Sequence, residues 1–347
     1  MKRKIIVLGL VLVSIIALFT ACGKKDAQSD KVYEFNVNFT FAEDNAPGAV
    51  EAIKNCEERS GGRLKLTPYW GNTLLNIMEL PKGYADGIAE IGLIPMSIYS
   101  DVLPLNSILN SQPFLGFKDK QQAWDIFNLL HEEFPEMDKE LLDLGLTPIA
   151  YYPMAPYYLH LTYDSPEVRV PSDLRGEKII TNKIEISSFL SDMSAAPVNQ
   201  PITEYYSSLE KGVAGALWNN YAIINGMGLT PLLHQHVNFG PTGSHLDFNV
   251  YIVRTETLNE LPEDLQQIIL EEWTKAAIAQ AAMEQEVADR MYAAGQAQGD
   301  LFVDLTPDEI RQWSEPLQII NEAQIAEMAA GNPVARDIAD RIRELAG

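Results

Sequence analysis

The chain is poor in cysteine and in positive charge. Its 347 residues include two cysteines, Cys22 and Cys56, so a disulfide within the chain is excluded if Cys22 carries a lipid. Cys56 lies in a helical pattern and is most simply a small core residue. Lysine and arginine number 26 against 48 aspartate and glutamate, for a net charge of −22. This balance argues against nucleic acid and against anionic lipid as partners.

Motifs of the common enzyme classes are also missing. The sequence contains no Gly-x-Ser-x-Gly elbow, His-Glu-x-x-His pair, phosphate loop or dinucleotide glycine fingerprint. His234-Gln235-His236 and His245-Leu246-Asp247 carry zinc-type ligands. This loop-like stretch lacks the fixed spacing of a zinc site, however, and favours solvated histidines. We therefore predict no enzyme activity, no cofactor and no metal site.

The N-terminus has the three parts of a secretory signal. Basic residues 2–4 precede an apolar run from Ile5 to Phe19, and the small residue Ala21 lies directly before Cys22. The run is shorter than the roughly 20 residues that a membrane-spanning helix needs. Residues 1–21 are therefore predicted to be a cleaved signal peptide.

Cys22 is predicted to carry a lipid. Phe19-Thr20-Ala21-Cys22 is similar to a bacterial lipobox, although that pattern usually has leucine three places before the cysteine and Leu18 is one place off. The alternative is an ordinary signal with an incidental cysteine. Several acyl chains on Cys22 would anchor the protein stably in the lipid bilayer, in the periplasm or on the outer face of the membrane. Residues 22–31, which lack large apolar side chains, are then the lipidated cysteine and a flexible tether.

The mature chain alternates strands with helices. Val32 to Phe41 alternates apolar and polar residues, which indicates a strand, and a helix follows to about Arg59. Strands at Arg63–Tyr69 and Ile91–Pro95 continue the pattern, which recurs in the second half of the chain. This order is typical of parallel sheets with helices on both faces.

The length and one long helix predict two domains. About 325 mature residues exceed what one core usually organises. The helical composition from Pro262 to Gly299 gives a helix of more than roughly 50 Å, which is long enough to cross both domains. We expect residues 32–155 and 248–280 to form domain I, and residues 156–247 and 281–347 to form domain II.

A series of short motifs runs along the chain in a recognisable order. They are Glu58-Arg59-Ser60-Gly61-Gly62-Arg63-Leu64, Gly83-x-x-Asp86-Gly87-x-x-Glu90-Ile91-Gly92, Gln112-Pro113-Phe114-Leu115, Pro171-Ser172-Asp173-Leu174-Arg175-Gly176-Glu177-Lys178-Ile179, Glu204-Tyr205-Tyr206-x-x-Leu209-x-x-Gly212-Val213, Tyr251-Ile252-Val253 and Leu261-Pro262-Glu263-Asp264-Leu265-Gln266. Each is weak alone, but together they resemble the substrate-binding proteins of tripartite ATP-independent periplasmic (TRAP) transporters, of the dicarboxylate-receptor type.

The resemblance implies a fold and a function. It implies an α/β periplasmic-binding-protein-like fold of two domains, with the ligand cleft between the domains and a long helix spanning both. Such receptors bind a small-molecule solute outside the cytoplasm and deliver it to the membrane subunits of a TRAP permease, without covalent chemistry. The alternative is a ligand-sensing receptor of the same fold that presents its ligand to a membrane signalling protein.

The chain departs from the family at the ligand site. Where the family has an arginine that grips a ligand carboxylate, this chain has Ile180, and a second basic position common in relatives falls on His160. Asn219 keeps a polar ligand-contact position, while Trp218 replaces an acid. A carboxylate ligand is therefore doubtful from the sequence.

Two kinds of ligand site stay open. His160, Asn182 and Asn219 could replace the arginine and bind an anion, which would bind more tightly as the histidine gains a proton. Alternatively, the rings of Tyr151, Tyr157 and Trp218 could hold a neutral or cationic ligand, and an aliphatic residue at position 180 favours this choice. Core positions for the tyrosines and for His160 are equally compatible with the sequence.

Further candidates follow from strand ends. In open α/β sheets, ligands bind beyond the carboxyl ends of the strands. Phe41 and Glu43 follow the first predicted strand, and Ser97 follows the third. Asp247 completes the set of predicted ligand-binding residues.

Overall fold

The computed structural model describes residues 31–109, 112–162 and 165–347. The predicted signal peptide, Cys22 and the tether before Lys31 lie outside the described residues. The strands are β1 (Tyr33–Asn38), β2 (Leu64–Tyr69), β3 (Ile91–Pro95), β4 (Leu146–Pro153), β5 (Tyr157–Leu161), β6 (Lys178–Ile180), β7 (Ala196–Val198), β8 (Ala216–Asn220), β9 (Gln235–Asn238), β10 (Phe248–Arg254) and β11 (Leu301–Asp304).

Helices connect these strands. They are α1 (Pro47–Arg59), α2 (Leu80–Ala85), α3 (Pro104–Ser107), α4 (Lys120–Glu133), α5 (Glu136–Asp143), α6 (Ile184–Asp192), α7 (Tyr205–Glu210), α8 (Tyr221–Gly226), α9 (Thr255–Asn259), α10 (Glu263–Gln298), α11 (Pro307–Gly331) and α12 (Val334–Ala346). Among the described residues, none of these helices combines the length and the apolar character needed to cross a membrane.

The strands form two sheets. The first has the order β2-β1-β3-β10-β4 and the second β11-β9-β5-β8-β6-β7. In the first sheet, β2 and β3 run parallel to β1, and β10 is antiparallel to both of its neighbours. In the second sheet, β5 is antiparallel to β8 and β9. The expectation of purely parallel sheets is therefore wrong by one strand in each sheet.

The two antiparallel strands have one cause. The chain crosses between the sheets at residues 154–156, from β4 to β5, and at residues 239–247, from β9 to β10. Strand β5 therefore starts beside the carboxyl end of β4, and β10 starts beside the carboxyl end of β9, although the two strands of each pair belong to different sheets. Consequently the carboxyl ends of the parallel strands in both sheets face the same two crossing segments.

The long helix α10 packs against both sheets. Its first half contributes Leu265, Trp273 and Ala281 to the apolar cluster of the first sheet, and Ala288 belongs to a cluster of the second. Its 36 residues span about 54 Å. Gly48 of α1 lets the two helices approach, because a Cβ there would lie 2.7 Å from a carbonyl oxygen of α10. The expected α/β fold with a long helix across both sheets is confirmed.

The C-terminal helix packs on the first sheet. Ile338 and Ile342 of α12 are fully buried in the same cluster as Phe127 of α4 and Phe248 of β10. The preceding helix, α11, buries Trp313 against the second sheet and Ile325 against the first. The last helix therefore packs against the first sheet, although it falls within residues 281–347, which the sequence assigns to domain II.

Candidate functional site

Strand ends from both sheets meet beside the second crossing segment. Asp247 ends that segment and precedes β10, Ser97 follows β3 of the same sheet, and Lys183 follows β6 of the other sheet. Nζ of Lys183 lies 2.5 Å from Oδ1 of Asp247. The side chain of Ser97 lies near the same carboxylate. Asp247 therefore links the two sheets through its side chain.

Tyr157 and His245 complete this group. Tyr157, the first residue of β5, places its hydroxyl near the carboxylate of Asp247. Its ring stacks on His245, with centroids 4.4 Å apart. Nε2 of His245 has no hydrogen-bond partner among the described residues and lies 4.0 Å from Oδ1 of Asp247. We call Ser97, Tyr157, Lys183, His245 and Asp247 the cleft cluster.

The cleft cluster holds two opposite charges among neutral polar groups. The side chain of Asp247 is 3% exposed and that of Lys183 is 17% exposed. Burial alone would raise the pKa of Asp247, but the charge of Lys183 holds it below its ordinary value. Burial, and then the charge of Lys183, lower the pKa of His245 to about 3, so its ring is neutral. Burial and Asp247 raise the pKa of Tyr157 well above its ordinary value, so the hydroxyl keeps its proton.

Ile180, where the sequence resemblance implies an arginine, is a core residue. It is fully buried at the end of β6, in an apolar cluster that includes Tyr205, Leu209 and Leu217. The side chain offers neither a charge nor a donor to a ligand. Lys183, three residues later, carries the cation at the end of this strand.

His160 is held in a buried hydrogen-bond network. Its Nε2 donates to the carbonyl oxygen of Asn219 at 3.0 Å, and its Nδ1 lies 2.7 Å from Nδ1 of His236. Burial and the neighbouring His236 lower the pKa of His160 well below its ordinary value. The ring is therefore neutral with both nitrogens engaged, so it does not supply the charge that an anion site would need.

Tyr151 and Trp218 are in the cores. The hydroxyl of Tyr151 donates to Asp138 of α5 at 2.8 Å, and its ring stacks on His131 of α4. Trp218 is 2% exposed among aromatic rings of the second sheet, and its Nε1 donates to Ser244 at 2.9 Å. The structure therefore does not bring these two rings together with Tyr157 as an aromatic cradle.

The remaining candidates lie at strand ends. Phe41 is half-buried against the first sheet, and Glu43 is exposed in a short 3-10 helix. Asn182 is exposed and lies near Tyr205, while the side-chain oxygen of Asn219 accepts from the next backbone N–H. Phe41 and Glu43 follow the carboxyl end of β1, Asn182 follows that of β6, and Asn219 lies one residue before the end of β8.

The histidine-rich stretch is buried rather than solvated. Nδ1 of His234 lies 2.9 Å from Oδ1 of Asp300, and His236 and His245 are 6% exposed each. Burial lowers the pKa of His236 to about 4. The expectation of solvated loop histidines is wrong, because this stretch forms β9 and the second crossing segment. No group of three or more potential ligands is arranged for a metal within the described ranges.

A family model matches most of the chain. Residues 46–327 match the family described as bacterial extracellular solute-binding protein, family 7. The chain belongs to this family. A solute-binding protein of Albidiferax ferrireducens is 22% identical over 262 residues, which cover 75% of each chain.

Solved structures of such receptors share the fold. A TRAP solute-binding protein of Rhodoferax ferrireducens, in complex with copurified benzoate, matches with a TM-score of 0.78 at 17% identity over 91% of this chain and 98% of the other. A Bordetella pertussis extracytoplasmic solute receptor that binds pyroglutamic acid matches with 0.74 at 18% identity, over 90% and 100%. A Roseobacter denitrificans protein with bound β-D-glucuronate gives 0.75 at 17%, over 90% and 99%.

The function inferred from the motifs is confirmed at this level. The chain is a bacterial extracellular solute-binding protein of family 7, as the motifs imply. The family is one of receptors and not of enzymes. The sensing alternative finds no support in these comparisons.

Sequence reasoning missed Lys183 in this receptor. It considered Ile180 and Asn182 on one strand face, whereas the cation comes from the residue that precedes α6. The sequence does place Lys183 shortly after a predicted strand and Asp247 directly before another. These two positions could have indicated a charge pair at the site. Charge pairs distant in the chain cannot be matched without the fold.

Two cavities lie apart from the cleft cluster. One of about 310 Å³ is between α10 and the second sheet, where Tyr158, Tyr221, Tyr292 and Phe302 line it. Another of about 340 Å³ lies beside the C-terminus of α12, near Phe114. Neither is lined by a residue of the cleft cluster.

Proposed function

We propose that this receptor binds a small organic acid at the cleft cluster, where Lys183 meets the ligand carboxylate. The observation that carries the proposal is the contact of Lys183 with Asp247 between the two sheets. An ammonium group has three N–H donors, and the contact with Asp247 leaves others for a ligand oxygen. A cation at this strand end takes over the role that the sequence could not assign to Ile180.

The ligands of solved relatives support the same class. Benzoate, pyroglutamic acid and glucuronate are the molecules bound by the three structures compared above, and each carries a carboxyl group. A carboxylate taken out of water needs a cation or several donors, because its desolvation costs several kcal/mol. In the cleft cluster, Lys183 supplies the cation, while Ser97 and Tyr157 supply hydroxyl donors.

The proposed site narrows the candidate list. It comprises the cleft cluster, with Phe41, Glu43, Asn182 and Asn219 at neighbouring strand ends. Tyr151, His160, Ile180 and Trp218 are not part of it, because each is packed in a core or has its polar atoms engaged. The division into two domains also stays a proposal, in which α12 belongs with domain I rather than domain II.

The test compares two lysines. Lys183→Met is expected to abolish binding in a calorimetric and thermal-shift screen of small mono- and dicarboxylic acids, including benzoate, pyroglutamate and glucuronate. Lys178→Met, at the exposed start of the same strand, is the matched control and should bind like the parent. Acid binding that survives in Lys183→Met would contradict the proposed site.

The receptor is also proposed to be a lipoprotein anchored through Cys22. The lipobox-like segment and the basic, apolar and small residues before it support this attachment. Metabolic labelling with palmitate should modify the parent and not a Cys22→Ser variant, which should then leave the membrane fraction. An unlabelled parent with a free cysteine at its N-terminus would refute the anchor.

A further inference from the structure

We propose that the ligand is a zwitterion with an ammonium group beside its carboxylate, as in an α-amino acid. The inference rests on the proposed function, since it concerns the same cleft cluster, and it adds a role for Asp247. In this arrangement the ligand carboxylate meets Lys183 and the ligand ammonium meets Asp247.

The charge balance of the site carries the first step. Lys183 and Asp247 are a matched pair, and the other members of the cleft cluster are neutral. A simple carboxylate would add a second negative charge beside a carboxylate that is 3% exposed. Like charges brought together in such a place repel strongly, because little water screens them. A zwitterion adds no net charge.

The geometry of the pair carries the second step. Nζ of Lys183 and Oδ1 of Asp247 are 2.5 Å apart, so the two charges are immediate neighbours. An α-amino acid carries its two charged groups on one carbon and can therefore address both side chains at once. Lys183, the ligand carboxylate, the ligand ammonium and Asp247 then alternate in charge. Lys183 exchanges the carboxylate of Asp247 for that of the ligand, and Asp247 exchanges the ammonium of Lys183 for that of the ligand.

The neighbours of Asp247 carry the third step. Ser97 and Tyr157 lie near its carboxylate and remain its polar neighbours if Lys183 turns to a ligand. Nε2 of His245 is buried without a partner, 4.0 Å from the same carboxylate. Buried polar atoms normally have partners, so an unpartnered nitrogen here indicates a place for a ligand group. Because the His245 ring is neutral, it can accept a hydrogen bond from an ammonium group if its proton is on Nδ1.

The flanking residues indicate an apolar side chain on the ligand. Ile98 follows Ser97 directly and is 39% exposed, and Ile184 follows Lys183 and is 70% exposed. Two of the exposed large apolar residues of the protein therefore adjoin the two partners of Asp247. Burying them against a ligand side chain would remove apolar surface from water.

The first experiment uses the unmodified receptor. The twenty standard L-α-amino acids and a panel of simple organic acids are screened by thermal shift. For the best amino acid, calorimetry then compares it with its 2-oxo acid, which lacks the ammonium, and with its decarboxylated amine. Each analogue should bind about 10-fold to 100-fold more weakly, because each leaves one charge of the pair without its ligand partner.

The second experiment uses one variant that should change the affinities for the amino acid and for its 2-oxo acid in opposite directions. Asp247→Asn should lower the affinity for the amino acid by at least about 10-fold and should raise the affinity for the 2-oxo acid, since it removes the repelling charge. Asp192→Asn, at an exposed position of α6, is the matched control and should preserve the preference for the amino acid. A variant of Asp247 that fails to fold leaves the comparison of analogues on the parent as the deciding measurement.

The outcomes separate this inference from the proposed function. A simple acid that binds the parent as tightly as any amino acid, and loses binding in Lys183→Met, overturns the zwitterion while the organic-acid site stands. Binding of neither acids nor amino acids overturns both. Tight binding of an amino acid with both analogues weakened supports both.

Discussion

Two buried acids of this receptor lie near lysines, and they behave oppositely. Asp247 contacts Lys183 directly in the cleft cluster, and its pKa stays below its ordinary value. Glu284 of α10 is fully buried, and burial raises its pKa to about 7. Its nearby lysine, Lys120, donates instead to the carbonyl oxygen of Ala281 at 2.7 Å. Contact with a cation, and not proximity alone, decides whether a buried carboxylate stays ionised.

The different pKa shifts of Asp247 and Glu284 match their positions in the fold. The cleft cluster keeps a permanent charge pair at neutral pH. Glu284 accepts a hydrogen bond from the backbone N–H of Ala155, at 2.8 Å, in the first crossing segment between the sheets. This contact joins the long helix to a connection that any movement of one sheet relative to the other must bend. Its strength changes where Glu284 titrates, close to neutral pH.

The largest expected effect comes from breaking the cleft pair. Lys183→Met leaves the Asp247 carboxylate buried without its cation, which typically costs about 3–5 kcal/mol of the free energy of unfolding. Urea denaturation at pH 7 measures the loss. The double variant Lys183→Met/Asp247→Asn should recover much of it, because no unpaired charge remains. A single variant no less stable than the double one would show that the pair is not buried as described.

Glu284→Gln is expected to stabilise the receptor increasingly as pH rises. Below about pH 4.5, Glu284 is protonated in both the folded and the unfolded chain. Above it, the unfolded chain loses the proton first, so the acid destabilises the fold until about pH 7, by roughly 3 kcal/mol in all. The gain of the variant over the parent should therefore grow between pH 4.5 and 7 and then level off.

Because buried histidines also make stability depend on pH, the free energy of unfolding of Glu284→Gln must be compared with that of the parent at each pH. Burial lowers the pKa values of His160, His236 and His245, so these residues make the folded state more stable as pH rises towards about 6.5. Their contribution cancels between parent and variant. Glu286→Gln, at an exposed position on the same helix, should show no such pH-dependent gain. A constant difference for Glu284→Gln across the range would contradict the raised pKa.

A smaller effect is expected from one donor to Asp247. Tyr157→Phe removes the hydroxyl near a carboxylate that keeps its contact with Lys183, so the free energy of unfolding should fall by about 1–2 kcal/mol. Tyr206→Phe, at an exposed tyrosine, is the control and should change it little. Equal stability of both variants in urea would show that the Tyr157 hydroxyl does not support the pair.

The smallest effect concerns the lysine near Glu284. Burial raises the pKa of that acid, and the charge of Lys120 is among the influences that lower it. Lys120→Met should therefore raise the pKa of Glu284 above 7, which carbon-13 NMR of labelled glutamate can follow. Lys118→Met, on a side chain that is 84% exposed, should leave it unchanged. A lower pKa after Lys120→Met would reverse the assigned sign.

Local patterns predicted most of the fold. The alternation before Phe41 gave β1, and the apolar run Ile91–Pro95 gave β3 with the same bounds. The proline and early acids before Leu265 and the glycine at 299 gave α10 nearly to the residue, since caps and periodicity act over a few residues. The antiparallel strands β5 and β10 could not be predicted this way, because their direction depends on where the chain re-enters each sheet.

The candidate site likewise has features that local sequence patterns predict and features that depend on the whole fold. The rule that ligands bind beyond strand ends selected Ser97, which lies near Asp247 in the structure, and Ile180 is a core residue where the resemblance implies an arginine. Composition and motifs by themselves determined the class of protein, the crossing helix and the missing arginine, since each depends on residues close together in the chain. Only the tertiary structure decided that Lys183 and Asp247, 64 residues apart, form the charged pair of the cleft. The same packing buried His160 and Trp218 away from it, because burial and charge pairing depend on the neighbours that the whole fold supplies.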